Sequence, residues 1–238
     1  MLKATHGILK TSTPTPPAVL ALDGTIKFNG TSTSNLSIEN DANLAMGSSD
    51  FTIEWYQYQT DSNSYPRVFS IGSYASADLA VSLESSTFYV FIGGGMAGQG
   101  SGATAMGSLG SYKNQWVHFA LTRQAGTLRS FKNGTLMATA SKNLNLANTT
   151  SALRIGNETT VGASASYGGW LSNFRWVKGT ALYTANFSKP LTPLSNVAGT
   201  ELLLLATTNG TATTDSSSRA RTVTANSITW QAFSTTMV

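Results

Sequence analysis

The stretch Thr127-Leu-Arg-Ser-Phe-Lys-Asn-Gly-Thr-Leu-Met-Ala-Thr-Ala140 reads as a β-hairpin. Asn133-Gly134 supplies the two positive φ angles of a type I′ turn, the connection whose twist suits a pair of antiparallel strands. Upstream, Gln115 to Arg123 alternates: Trp116, His118, Ala120 and Thr122 point one way, Val117, Phe119 and Leu121 the other. Asp50-Phe-Thr-Ile-Glu-Trp-Tyr-Gln-Tyr58 repeats the pattern, with Phe51, Ile53, Trp55 and Tyr56 forming a strongly apolar strand. Further short runs follow the same rule: Leu20 and Leu22, Ile26 and Phe28, Leu36 and Ile38, Arg67 to Gly72, Leu79 to Glu84, Thr87 to Gly93, Ala152 to Gly156, Gly169 to Val177, Glu201 to Ala206, Thr222 to Ala225 and Ile228 to Gln231. Asp23-Gly24 is read as a hairpin-like turn. The spacing predicts about thirteen or fourteen strands. No window holds helical periodicity, so the predicted fold is all-β, a two-sheet antiparallel sandwich.

Composition narrows the chemistry. The 238 residues include no cysteine, only 11% charged residues, and 33 threonines and 30 serines. Without thiolates there is no disulfide framework, zinc knuckle, iron–sulfur cluster or cysteine nucleophile. Charge is well below the usual quarter of residues, so hydroxyls and amides carry the solubility. The net charge of +4 comes from scattered lysines and arginines set against few acids. No clustered footprint for nucleic acid is visible. No apolar run is long enough to span a membrane as a helix, so no membrane insertion is expected. Residues 1 to 17 lack the apolar core and cleavage pattern of a secretion signal. Such a composition without a signal fits a protein released by lysis or carried on a particle.

The chain divides into an extended N-terminal arm, residues 1–18, and one sandwich, residues 19–238. Thr11-Ser-Thr-Pro-Thr-Pro-Pro17 removes backbone donors and favours polyproline-like extension, so the arm belongs to no sheet interior. It is read either as a linker or disordered terminus, or as a docking arm that orders against a neighbouring subunit. Gly93 to Gly110 holds eight of the 22 glycines and is read either as a long surface loop or as a β excursion with close backbone approach.

Catalytic patterns are missing. His118 has no G-x-S-x-G serine elbow to serve, and is read as a polar core or sheet-face residue. Glycoside hydrolysis needs two carboxylates facing one cleft, whereas Glu54 stands alone between Ile53 and Trp55, and Glu84 alone at a strand end. No catalytic residue and no cofactor is assigned. No histidine-based metal motif is present. Calcium held by carboxylates and carbonyls stays open, because Asp41, Asp61 and Asp215 lie in predicted loops, where aspartates also cap turns.

Six segments in order, Phe28-Asn-Gly30, Leu36-Ser-Ile38, Asp50 to Trp55, Trp116 to Arg123, Phe131-Lys-Asn-Gly134 and Leu153-Arg-Ile-Gly156, resemble the concanavalin A-like lectin/glucanase domains of laminin G-like type. Gly169 to Tyr183, Phe187, Pro190, Leu202 to Leu205 and Asp215-Ser-Ser217 resemble the version found in tailed-phage virion structural proteins. The resemblance covers roughly residues 22–230. It implies a jelly roll of two antiparallel sheets whose members bind glycans or proteins, often with calcium. The carboxylate motif of the hydrolase branch and the legume-lectin metal cluster are not recognisable, so no sugar-binding residue is carried over.

Ligand candidates are therefore aromatics in predicted loops or at strand ends, beside groups that bond hydroxyls: Asp61, Tyr65, Tyr74, Tyr112, Tyr167 and Trp170. The favoured expectation is a non-enzymatic virion protein, a tail fibre, neck appendage or capsid decoration, assembled in the host cytoplasm and exposed on the particle. Its partners would be other virion proteins through the arm, host-surface glycans through the sandwich, and copies of itself. The alternative is a carbohydrate-binding module of a secreted polysaccharide-targeting system; a glycosidase ranks third.

Overall fold

A computed structural model describes residues 20–60, 63–73, 77–93, 103–158 and 163–235. Among these it forms fifteen strands: β1 Gly24–Asn29, β2 Asn35–Ile38, β3 Phe51–Gln59, β4 Arg67–Ile71, β5 Leu79–Glu84, β6 Thr87–Ile92, β7 Ala103–Ser108, β8 Val117–Gln124, β9 Thr127–Lys132, β10 Thr135–Ser141, β11 Leu153–Ile155, β12 Gly168–Lys178, β13 Thr200–Leu204, β14 Val223–Asn226 and β15 Ile228–Ala232. One sheet runs β10-β9-β8-β3-β12-β1-β15, with β13 also paired to β12. The second runs β14-β2-β11-β4-β5-β6-β7. The ladders between these strands are antiparallel throughout.

Alternation puts one face of each strand between the sheets. Phe51, Ile53 and Trp55 of β3 meet Phe69, Phe88, Phe119, Phe174 and Trp176 in the core. Trp55 lies edge-on to Phe69 at 5.8 Å and stacks on Phe88 at 6.1 Å between ring centroids, the offset and T-shaped geometries that aromatic quadrupoles favour. The β9–β10 hairpin forms as expected, with Asn133 at φ 50° and Gly134 at φ 81°. In β12 the ladder to β3 breaks between Ser172 and Arg175, with Asn173 at φ 53°. That bulge lets β12 pair with β1 over its first half and with β13 over its second.

One expectation changes and one open alternative is resolved over its described part. Asp23-Gly24 is no hairpin turn: Gly24 opens β1, and the chain before it is tied down by Ala21, whose N–H donates to Leu191 O at 2.8 Å. A Cβ at Gly24 would lie 2.0 Å from Ala206 O, so this glycine serves close approach. In the glycine-rich stretch, residues 103–108 are strand β7, while 94–102 lie outside the described residues. Gly107 there runs at φ 106° past Met137, where a Cβ would come within 2.6 Å. The excursion closes the edge of the sandwich, because β7 packs across on β10.

The outward face of β3 holds the least expected feature. Every β3 residue is buried, including outward-facing Thr52, Glu54 and Tyr56, because the irregular segment 179–199 folds back over the sheet. Its ends meet where Lys178 N–H donates to Gly199 O at 2.9 Å. Thr52 Oγ1 donates to Thr180 O and accepts from Leu182 N, Thr122 Oγ1 donates to Tyr183 O at 2.8 Å, and Tyr56 OH donates to Pro190 O. Phe187 stacks on Tyr183 at 3.6 Å and packs edge-on to Phe131. This strap closes a sheet face that the alternation alone would leave open.

Candidate functional site

Beneath the strap lies a charged cluster. Glu54 Oε1 accepts from Arg175 Nε at 2.9 Å and Nη2 at 2.5 Å, and Oε2 accepts from Tyr183 OH at 2.9 Å and lies 3.0 Å from His118 Nε2. Arg175 Nη1 continues to Ser195 O at 2.7 Å. Glu54 thus holds the strap at two points, through Tyr183 directly and through Arg175 at Ser195. No second carboxylate joins Glu54; its partners His118 and Arg175 arrive from strands 64 and 121 residues away. Burial by itself would raise the Glu54 pKa, but the hydrogen bond from His118 and the charge of Arg175 outweigh it, leaving the carboxyl below its ordinary range. Burial, reinforced by the Glu54 charge, pushes the Tyr56 and Tyr183 hydroxyls up.

The sign of the pH dependence follows. A depressed carboxyl contributes stability that is fully present above its unfolded pKa and is lost as pH falls through the lower folded value. Thermal melts from pH 7 downward are therefore expected to hold nearly level until below the ordinary glutamate range of about 4.3, then fall steeply. In Glu54→Gln the Glu54 contribution to that acid limb should vanish; an unchanged limb would assign it elsewhere.

Glu54 and His118 have no exposed surface, so the cluster as it stands meets no ligand. An accessible site lies at one end of the sandwich. A groove of about 670 Å³ is lined by Asn63, Ser64, Tyr65, the β5–β6 turn Ser85-Ser86, and Gly110 to Lys113. Ser85 and Ser86 sit at φ 46° and 65°, and Ser86 O accepts from Leu109 N at 2.7 Å. Lys132 Nζ bonds Leu109 O and Ser111 O, and burial pulls its pKa down. Asn63 Nδ2 donates to Gly30 O and to Ser166 O at 2.7 Å.

Behind the groove, Arg67 Nη1 donates to Tyr65 O at 3.0 Å and to Glu84 Oε1 at 2.6 Å, and Arg67 Nε lies 3.5 Å from Glu158 Oε2. Burial raises the Glu158 pKa, Arg67 opposes it, and Glu84 adds to it. Loop 63–66 is thus fixed from behind, while Tyr65, 45% exposed, stands at the rim.

The structure brings together two of the six candidates, Tyr65 and Tyr112, on this groove. Tyr112 is mostly buried and forms part of its floor. Tyr167 lies in the core, edge-on to Phe28 at 6.0 Å, with its hydroxyl donating to Trp170 O. Trp170 is 3% exposed, beneath Lys27 Nζ at 4.8 Å, and its Nε1 donates to Gln231 Oε1. Neither presents a ring face to solvent. Asp61 and Tyr74 lie outside the described residues.

Of the loop aspartates, Asp41 and Asp215 are occupied within the protein. Asp41 accepts from Arg221 Nη1 at 3.0 Å; burial would raise its pKa, but Arg221 and the Leu44 and Asn43 amides bring it to about 2. Asp215 accepts from the backbone amides of Leu203, Ser217 and Arg221. Among the described residues no three His, Asp or Glu side chains converge as metal ligands.

Two facing antiparallel sheets with a loop-built groove at one end define a jelly-roll sandwich of the lectin type. The chain belongs to the concanavalin A-like lectin/glucanases superfamily: the Laminin_G_3 family matches residues 29–183. No curated protein matches it by sequence. Among solved structures it is similar to a "putative carbohydrate binding protein" from Bacteroides ovatus ATCC 8483, with TM-score 0.64 and 16% identity over 91% of this chain and 62% of that one. It is also similar to the native heptameric SAP-like pentraxin from Limulus polyphemus, with TM-score 0.51 and 15% identity over 67% of this chain and 78% of that one. At these identities the likeness is one of fold.

Proposed function

We propose that the chain is a non-enzymatic glycan-recognition module whose ligand lies in the groove rimmed by Tyr65. The observation that carries this reading is the groove itself. It is open, fixed from behind by Asn63 and Arg67, and lined by hydroxyls, an amide and an ammonium beside an exposed aromatic ring. Such a lining bonds sugar hydroxyls while the ring covers a sugar face. The non-catalytic part of the reading rests on the acids: Glu54 is held by three side chains under the strap, and Glu84 is paired with Arg67. A glycan array probed with the full chain is expected to return binders, and Tyr65→Ala to lose about tenfold in affinity at unchanged melting temperature. An array without binders overturns the reading.

We further propose that the module sits on a phage particle, as tail fibre, neck appendage or capsid decoration, anchored by residues 1–18. Its support is the sequence resemblance and the proline-rich arm. Deleting residues 1–17 is expected to leave a folded sandwich that no longer enters particles; unchanged incorporation would refute it. A second reading, a binding module of a secreted polysaccharide-targeting system, is favoured by the likeness to the Bacteroides ovatus protein. It predicts glycan affinity with no particle association.

A further inference from the structure

The outer face of the second sheet carries an arginine with no counter-ion. Arg154, in the middle of β11, stands directly across from Ser37 of β2, which in turn stands across from Thr224 of β14. Among the described residues its side chain makes one hydrogen bond, Nη1 donating to Asn35 Oδ1 at 3.2 Å, an oxygen that also accepts from Asn226 Nδ2. Arg154 Nε is buried with no acceptor. Among the described residues no carboxylate lies within ion-pair distance of it; Arg67, Arg175, Arg219 and Arg221 each have one, while Arg123 and Arg129, also without one, bond backbone carbonyls.

Arg154 also occupies the junction of two grooves. One, of about 490 Å³, is lined otherwise by Thr33, Asn35, Ala225, Asn226 and Ser227 and holds no acid. The other, of about 580 Å³, leads toward Glu39 and the Asp41–Arg221 pair. A partly buried guanidinium with unfilled donors favours an incoming anion, and its planar fork suits a carboxylate.

We propose that this trough is a second ligand site, separate from the Tyr65 groove, which binds an acidic polysaccharide by seating a uronate carboxylate on Arg154. The neighbouring sugars lie in the acid-free groove. Its walls are hydroxyls and amides with no apolar pocket, which suits sugar hydroxyls and offers nothing to the side chains of a peptide. The site does not depend on the Tyr65 reading.

The test is calorimetric titration of the full chain with oligogalacturonate, with dextran sulfate, neutral dextran and oligoglutamate as further arms. Oligogalacturonate is expected to bind, to weaken in high salt, and to lose at least about tenfold in Arg154→Ala, with Arg154→Lys intermediate. Ser37→Asp sets a carboxylate opposite Arg154 without removing it, and is expected to abolish binding in a chain that melts no lower than the parent. Equal binding of dextran sulfate would replace the uronate by any sugar-borne anion and overturn the carboxylate assignment. Equal binding of oligoglutamate would overturn the polysaccharide. Oligogalacturonate binding that is absent, or indifferent to both substitutions, refutes the site. Tyr65→Ala should leave this titration unchanged, so failure here and failure of the Tyr65 groove are separately visible.

Discussion

Glu54→Gln is expected to destabilise the protein by about 3–5 kcal/mol, the cost of removing one partner from a buried ion pair. Glu54 has no exposed surface and Arg175 is 5% exposed. A neutral amide would leave the guanidinium buried without its charge partner, and would weaken the bonds to His118 and Tyr183. Urea unfolding followed by tryptophan fluorescence measures the loss, and the melting temperature should fall by roughly 10 °C for a chain of this size. A loss under about 1 kcal/mol would mean that the cluster does not secure the strap. The double replacement Glu54→Leu with Arg175→Met tests the charge argument, because an apolar pair of similar volume is often tolerated where a broken ion pair is not. It should recover a large part of the stability.

Gly134→Ala loosens the same segment at another contact, from the hairpin side, and is expected to cost about 2–5 kcal/mol. At φ 81° an alanine carries a left-handed penalty of about 1–2 kcal/mol. Its Cβ would also lie 2.0 Å from Phe187 O and 3.0 Å from Phe187 C. These are backbone atoms that cannot turn aside, and the resulting shift adds about 1–3 kcal/mol. Phe187 N–H donates to Gly134 O at 2.9 Å, so hairpin tip and strap must separate together. Amide exchange should quicken at Phe187 and Leu136, whose N–H donates to Asn186 Oδ1. Slow exchange at both in a stable variant would contradict this.

The sandwich was legible wherever one face of a strand is apolar. Phe51, Ile53 and Trp55, or Val117, Phe119 and Leu121, announce strands by period two, and Asn133-Gly134 announces its turn. Thr52, Glu54, His118 and Thr122 carry the opposite, polar pattern of a solvated face, and nothing local says that segment 179–199 returns to cover them or Tyr56. The ion pair joins residues 121 apart, and only the β3–β12 register, where Glu54 faces Arg175, makes it. Tyr65 and Tyr112 shared a groove because both sit in loops at one end of the sandwich. Tyr167 and Trp170 looked alike in sequence but belong to the core and to a Lys27-capped face, since β12 begins at Gly168. Arg154 could not be singled out from sequence, because a missing counter-ion is a property of three-dimensional neighbours.

The two ends of the described sandwich are neighbours: Gly24, which opens β1, is paired with Ala232, which closes β15, and among the described strands β15 pairs with β1 alone. A pull applied between the N-terminal arm and the C-terminal segment therefore loads that ladder as a zip, one hydrogen bond after another, rather than in shear. The edge strand β15 is the first to come away, at low force, while the twelve-to-three ladder at the centre of the sheet carries little of the tension.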